Sequence, residues 1–215
     1  VPPLNSDMDA RLMYRILAAE IAHQSHAFDI AFALMLEAAK SRHDDALYQR
    51  AVVIASEARA GKSALKAAQL WQQGLPESLS AMRQTLGLEL ALDRPEEAAQ
   101  TLARLFKATP LAELAELSTQ LPAAMLGLNN TKERRQTAEA GLRGYTSDPK
   151  RGAYAHAVLG TLAVQDRDTA SALTHAQAAA RLQPNNSVAA TLAVALLEQG
   201  KEEARALVLR YLDDA

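Results

Sequence analysis

The stretch AYAHAVLGTLAVQDRDTASALTHAQAAARLQP, residues 153–184, decides the fold. It reads as two helices, over about 151–165 and 168–182, with Asp168 placed to cap the second. Leu159-Gly160 sits in the first helix, Ala172 early in the second, Ala179 near its end, and Pro184 beyond it. Small residues are needed where two antiparallel helices cross at close range, because a larger side chain would overpack the contact by about 1–3 kcal/mol. A proline after the second helix suits the start of a further helix, where its missing N–H costs little.

The same punctuation recurs along the chain. Pro76, Pro110, Pro149 and Pro184 follow one another at 34 to 39 residues, and each is expected to open a new helix pair. Ala31, Ala64, Ala98, Ala172 and Ala204 keep a beat of 32 to 34 residues, with one interval of 74. That interval holds two repeats and an insertion of about six residues, in the stretch containing Pro122 and Gly127. The predicted pairs are 8–24 with 28–41, 45–59 with 62–74, 78–92 with 95–108, 111–128 with 131–145, 151–165 with 168–182, and 186–199 with 201–213. Asn130 with Glu133 fits a capping box. Pro122 is expected to kink or split its helix.

In order and spacing these features resemble the tetratricopeptide repeat. The unit from Leu79 keeps Pro95-Glu96-Glu97-Ala98-Ala99 and Pro110 but has Leu86 where glycine or alanine is usual, and the first unit keeps Ala19, Phe28, Ala31 and Ala38. The expected fold class is all-α, a right-handed superhelical solenoid of about six antiparallel helix pairs. It would span 8–215 as a single solenoid after a linker at 1–7, with an irregular repeat at about 111–145. The linker-like start and the apolar Leu207, Val208 and Leu212 of the last pair suggest a fragment of a longer repeat protein; the same apolar end would also serve self-association.

Composition narrows the function classes. Aromatic residues make up 4% of the chain against 49% hydrophobic residues, many of them alanine, which favours close helix approach over a core of large rings. A formal net charge of -2 lacks the positive excess that phosphate neutralisation needs, so nucleic acid is not an expected partner. The most apolar run, Ala189 to Leu197, is short and interrupted by Thr191. With no cysteine, disulfides and cysteine-based metal sites are excluded.

Motifs that might carry chemistry read as ordinary helix-pair features. Gly61-Lys62-Ser63 lacks the earlier glycine of a phosphate loop and follows no strand, which makes it a helix–helix turn. Ser63 and Lys66 have S-x-x-K spacing without the companion motifs of acyl enzymes. His23, His26, His43, His156 and His175 lack a completing ligand set and are expected at surfaces or turns. Trp71 falls at the register of Ala179 and is expected to be packed rather than to stack on a ligand. No catalytic residue, cofactor or metal is therefore expected.

First helices line the concave face of such arrays. By register the groove should present Ile16, Glu20, His23, Gln49, Val53, Ser56, Glu57, Arg83, Leu90, Tyr154, Thr161 and Gln165. The lysine, arginine and asparagine pattern of a carboxylate clamp is missing, so a helix or extended segment held by shape and apolar anchors fits better.

Leu12 to Arg83 carries a closer likeness. Leu12-Met13-Tyr14-Arg15-Ile16-Leu17-Ala18-Ala19-Glu20-Ile21-Ala22, Phe28-Asp29-Ile30-Ala31, Leu36-Glu37-Ala38-Ala39 and Ala67-Ala68-Gln69-Leu70-Trp71 resemble the N-terminal repeats of Gram-negative outer-membrane tetratricopeptide lipoproteins. That resemblance implies a location at the periplasmic face of the outer membrane and a lipid anchor on a cysteine that this chain lacks. It also implies a role as scaffold or adaptor for a carboxyl-terminal processing protease and its cell-wall hydrolase substrates. The alternative is a structural self-association module of a larger assembly.

Overall fold

The computed structural model describes residues 10–214; the proposed linker at 1–7 lies outside the described residues. All regular structure among them is helical. The first six helices are α1 (Ala10–Gln24), α2 (Phe28–Arg42), α3 (Asp45–Glu57), α4 (Gly61–Gly74), α5 (Leu79–Ala91) and α6 (Pro95–Ala108). The second six are α7 (Leu114–Ala124), α8 (Thr131–Leu142), α9 (Gly152–Gln165), α10 (Thr169–Leu182), α11 (Ser187–Glu198) and α12 (Arg205–Asp214). These are the six tetratricopeptide-like pairs expected from the repeat, with boundaries shifted by a few residues.

Two kinds of turn set the pairs. In five of the six pairs, all but α7–α8, the first helix ends on a residue with left-handed backbone: His26, Arg59, Asp93, Arg167 and Gly200, all with φ between 56° and 79°. The following amide then donates to a carbonyl five residues back, as in Ala27 to Ala22, Ala60 to Ala55, Arg94 to Glu89, Asp168 to Ala163 and Lys201 to Leu196. That bond satisfies a carbonyl the helix end would otherwise leave open, in the manner of a Schellman turn. Four of the five residues are not glycine, so the bond offsets a left-handed cost of about 1–2 kcal/mol at each.

Between pairs, two of the four prolines sit earlier than expected, whereas Pro110 directly precedes the 3-10 turn that leads into α7. Rather than opening a helix, Pro76 and Pro184 occupy the second position of turns closed by Ser78 to Leu75 (3.0 Å) and Asn186 to Gln183 (3.2 Å). Their fixed φ suits that position. Capping then falls to the turn's last residue: Asn186 accepts from the Ala189 amide at 3.0 Å, and the Ser78 hydroxyl from Ala81 at 3.2 Å. Asn130 and Asp168 cap α8 and α10 as expected. Gly61-Lys62-Ser63 forms the first turn of α4, one step beyond the turn predicted for it.

The chain packs as two compact units, through Leu88 and from Glu89 onward. In the first, α2 packs on α1 and α3, and α3 on α4. Its core holds Met35, Tyr48, Ile54 and Trp71 among alanines. Trp71 is fully buried and stacked on Tyr48 with ring centroids 6.3 Å apart, and its indole N–H donates to Asp45 at 2.7 Å. The expectation of packing is met, and Asp45 supplies the partner a buried indole needs.

In the second unit, α9 packs against α7, α10 and α11, while α6 packs on α8. The crossing alanines Ala31, Ala64, Ala98, Ala172 and Ala204 are all fully buried. A Cβ on Gly141 would lie 2.9 Å from the Ala99 carbonyl, so that helix crossing needs glycine, whereas one on Gly160 would meet the end of the Leu192 side chain, which would have to shift. Pro122 does not split α7, which runs through it; the helix leaves α geometry only at 125–127, in a 3-10 turn. In the last pair Leu207 and Val208 pack into the core, and the exposed apolar residues of α12 are Leu209 and Leu212.

Candidate binding groove

Two faces built from first helices answer to the predicted groove, one in each unit. In the first unit α1 and α3 bring Glu20, His23 and Glu57 together through a residue the sequence reading omitted, Arg50. Its guanidinium donates from Nε and Nη2 to the two Glu20 oxygens at 2.8 and 2.7 Å, and Nη2 lies 3.2 Å from His23 Nδ1. His23 Nε2 in turn pairs with Glu57. The Arg50 bond holds the Glu20 carboxyl below its usual range, and Glu20 raises Arg50 in return. Three of the predicted partner-binding residues are therefore engaged, through Arg50, between the first helices of two neighbouring pairs. Opposite charges one repeat apart, Glu20 and Arg50, are the signal that would have shown this.

The other predicted residues of this unit divide. Gln49 and Arg83 meet at a notch of about 230 Å³ with Ser80 and Gln84, over the edge of Trp71. Val53 is half-buried; Ile16 is half-buried and packs against the core. Ser56 is exposed, and its hydroxyl donates to the Val52 carbonyl at 2.8 Å.

In the second unit the first helices α7, α9 and α11 enclose a groove of about 140 Å³. From α9, Thr161 lines it, next to Val164. From α11, Val188, Leu192 and Ala195 form an apolar wall, and from α7 Pro122 closes the opposite side. None of the residues lining it carries a formal charge. Leu90, predicted to face a partner, is 1% exposed and belongs to the core, where a Cβ on Gly127 would approach it to 3.2 Å. Its register places it on the inner side of α5, so it offers no surface. Tyr154 is half-buried and Gln165 exposed, and neither lines this groove.

The polar atoms of the groove are unevenly served. Thr119 and Thr191 hydroxyls donate to carbonyls one turn back, at 2.9 Å each. The Ser118 hydroxyl, on a residue only 2% exposed, has no hydrogen-bond partner. Pro122, four residues on, has no N–H to give the Ser118 carbonyl. A buried hydroxyl left unpaired costs about 1–3 kcal/mol. Ser118 has no signal in the sequence because the irregular repeat gives α7 no secure register, while Pro122 and Thr191 read there only as a helix kink and a break in an apolar run.

Behind α9, two imidazoles meet: His156 Nδ1 and His175 Nδ1 are 2.9 Å apart. A bond between two ring nitrogens needs one proton between them, which fits the neutral form of both rings. Burial lowers His156, and burial followed by the His156 and Arg135 charges lowers His175 to about 4. Among the described residues no group of three or more acidic or histidine side chains is arranged to hold a metal ion.

Comparison with protein families and with curated proteins gives no match. Among solved structures, a MamA mutant resembles the chain at 13% identity and a TM-score of 0.40, over 80% of this chain and 98% of that one. MamA MSR-1 does so at 14% identity and a TM-score of 0.41, over 81% of this chain and 97% of that one.

Proposed function

We propose that the chain is a non-catalytic scaffold that holds a neutral, apolar segment of another protein along α7, α9 and α11. The observation that carries this reading is the uncharged groove that α7, α9 and α11 form. Shape and apolar burial would supply the affinity, at roughly 25 cal/mol per Å² of apolar surface removed from water. The first-unit face supports the same assignment by contrast, since its charges are already spent on each other.

In the finer form of this proposal the partner is a periplasmic carboxyl-terminal processing protease or its cell-wall hydrolase substrates, with the chain held at the outer membrane by a lipid anchor. That form rests on the likeness of Leu12 to Arg83 to outer-membrane tetratricopeptide lipoproteins. A photo-crosslinking side chain at Thr161, and another at exposed Lys132 as control, tests both levels in a periplasmic extract. Crosslinks to a processing protease or a hydrolase from Thr161 alone support the finer form. Crosslinks to other proteins from Thr161 leave the scaffold and remove the protease. Equal crosslinking from both sites, or from neither, overturns the groove assignment.

A further inference from the structure

We infer that the outer face of α1 is a self-association surface, on which two copies of this chain pack antiparallel about Leu17. The inference goes beyond the scaffold reading, since no residue of α1 lines the groove.

α1 is apolar on two opposite sides. Its inner side carries buried Leu12 and Ala19 and the core-packed Ile16. Its outer side carries Ala10, Met13, Tyr14, Leu17, Ile21 and Gln24, which fall within an arc of about 100° at 3.6 residues per turn. All six are exposed, the four large ones by 50% at Met13, 72% at Tyr14, 54% at Leu17 and 63% at Ile21. A helix that is apolar on opposite sides is ordinarily covered on both, and the described residues cover only the inner one.

The stripe is complementary to itself, which identifies what covers it. Along Ala10, Tyr14, Leu17, Ile21 and Gln24 the spacings alternate four and three, the seam pattern of packed helix pairs. It is also balanced about its middle: Met13 and Ile21 stand four residues to either side of Leu17, and Ala10 and Gln24 seven. A two-fold axis through Leu17 therefore sets Leu17 against Leu17 and Met13 against Ile21, with the small Ala10 against the longer Gln24 at each end.

Charge and area admit the same occupant. A two-fold contact brings the middle of a patch against itself, so a charge there would meet its like; the stripe carries none. Arg11 lies to one side of it, and the ionised neighbours Arg15 and Glu20 are spent inside the chain, on Glu37 at 3.0 Å and Arg50 at 2.7 Å. A fully bare large residue exposes roughly 200 Å², so the four large ones offer about 500 Å² on one copy. Two copies together bury about 1,000 Å², which reaches the lower size of a specific interface and sets a weak, reversible dimer.

Sedimentation equilibrium of the full chain tests the association. The mean mass is expected to climb from 23.1 kDa toward twice that value as the protein is raised through the micromolar range. Leu17→Glu places two carboxylates on the axis and is expected to weaken association at least about tenfold. Far-UV circular dichroism and Trp71 fluorescence check that this variant folds. A native chain that stays at 23.1 kDa up to millimolar concentration, or a folded Leu17→Glu that associates as the native chain does, overturns the inference.

Single cysteines then read the geometry, because the chain has none of its own. Under mild oxidation Leu17→Cys is expected to form a disulfide-linked dimer, and Met13→Cys to join Ile21→Cys faster than it joins itself. Lys132→Cys, on an exposed residue of α8, is the control. Leu17→Cys that couples no faster than this control, or faster to Leu212→Cys than to itself, overturns the two-fold arrangement, the second result marking a head-to-tail contact with α12. Either result leaves the groove reading as it stands.

Discussion

The first-helix face of α1 and α3 and the groove of α7, α9 and α11 occupy the same place in the repeat and are built to opposite rules. On the first, charged side chains face the surface and neutralise each other, Arg50 with Glu20 and His23 with Glu57. On the second, the surface is neutral, and two of the unit's ion pairs lie elsewhere, where α8 meets the ends of α9 and α10. There Arg134 and Asp166 pair at 2.7 Å with side chains 10% and 4% exposed, and Arg135 pairs with the α10 cap Asp168 at 2.8 Å. A repeat therefore fixes where a face lies but not what it recognises. A face whose charges are paired internally is closed to a charged partner, whereas one that exports its charges keeps a dry surface free.

The contrast is most strongly broken by Asp166→Ala. Removing the carboxylate leaves the Arg134 guanidinium buried without its counter-ion, and the expected loss is about 3–5 kcal/mol in the second unit. Hydrogen exchange of α8 and α9 amides should accelerate sharply, while the fluorescence transition of Trp71, the only tryptophan and a reporter of the first unit, stays in place. Unchanged exchange in α8 and α9 would mean that the buried pair does not hold these helices.

Gly160→Ala should cost about 1–3 kcal/mol, because the added methyl meets Leu192 at the helix crossing. Leu192 is also a groove wall, so the same substitution should weaken binding of apolar peptides. A variant of native stability that still binds such peptides normally would show that α11 yields freely there.

Acid should act on the second unit through the histidine pair. His175 titrates near 4 in the fold and near 6.5 when unfolded, so between those values the unfolded chain takes up the proton more readily. The groups facing the pair are Arg135 from α8, which opposes protonation, and the Asp168 carboxylate, which favours it. Stability from the neutral pair is full above about pH 6.5 and falls as the pH drops toward 4. Asp168, held down to about 2 by Ser171 and Arg135, gives way only in the separate window below its usual 3.8. Histidine ring resonances in an NMR titration give the direct check: a His175 that titrates near 6.5 in the folded protein would remove the effect.

The smallest change is expected from Arg50→Ala. This pair is about one-third exposed, so losing it should cost about 0.5–1 kcal/mol, read from the Trp71 unfolding transition. A loss of several kcal/mol would mean that the first-unit face is held by its charges, rather than merely neutralised by them.

What the sequence determined is what local and periodic physics can carry. Helix pairs follow from apolar spacing, and the crossing alanines from the need for small side chains at a fixed register. The Asn130 and Asp168 caps follow from side-chain oxygens placed before orphan amides. The residues predicted for the groove divide. Thr161 lines the groove, Glu20, His23 and Glu57 turn to one another, and Leu90 turns inward. Tertiary structure decided the rest. Arg59 and Arg167 adopt a conformation that their residue type does not favour, held by the carbonyl bond that closes each turn. The groove exists because Pro122, Val164 and Leu192, from three helices far apart in sequence, meet around a serine that none of them satisfies. Surplus space and unpaired hydroxyls are properties of a neighbourhood, and a one-dimensional pattern holds no record of who the neighbours are.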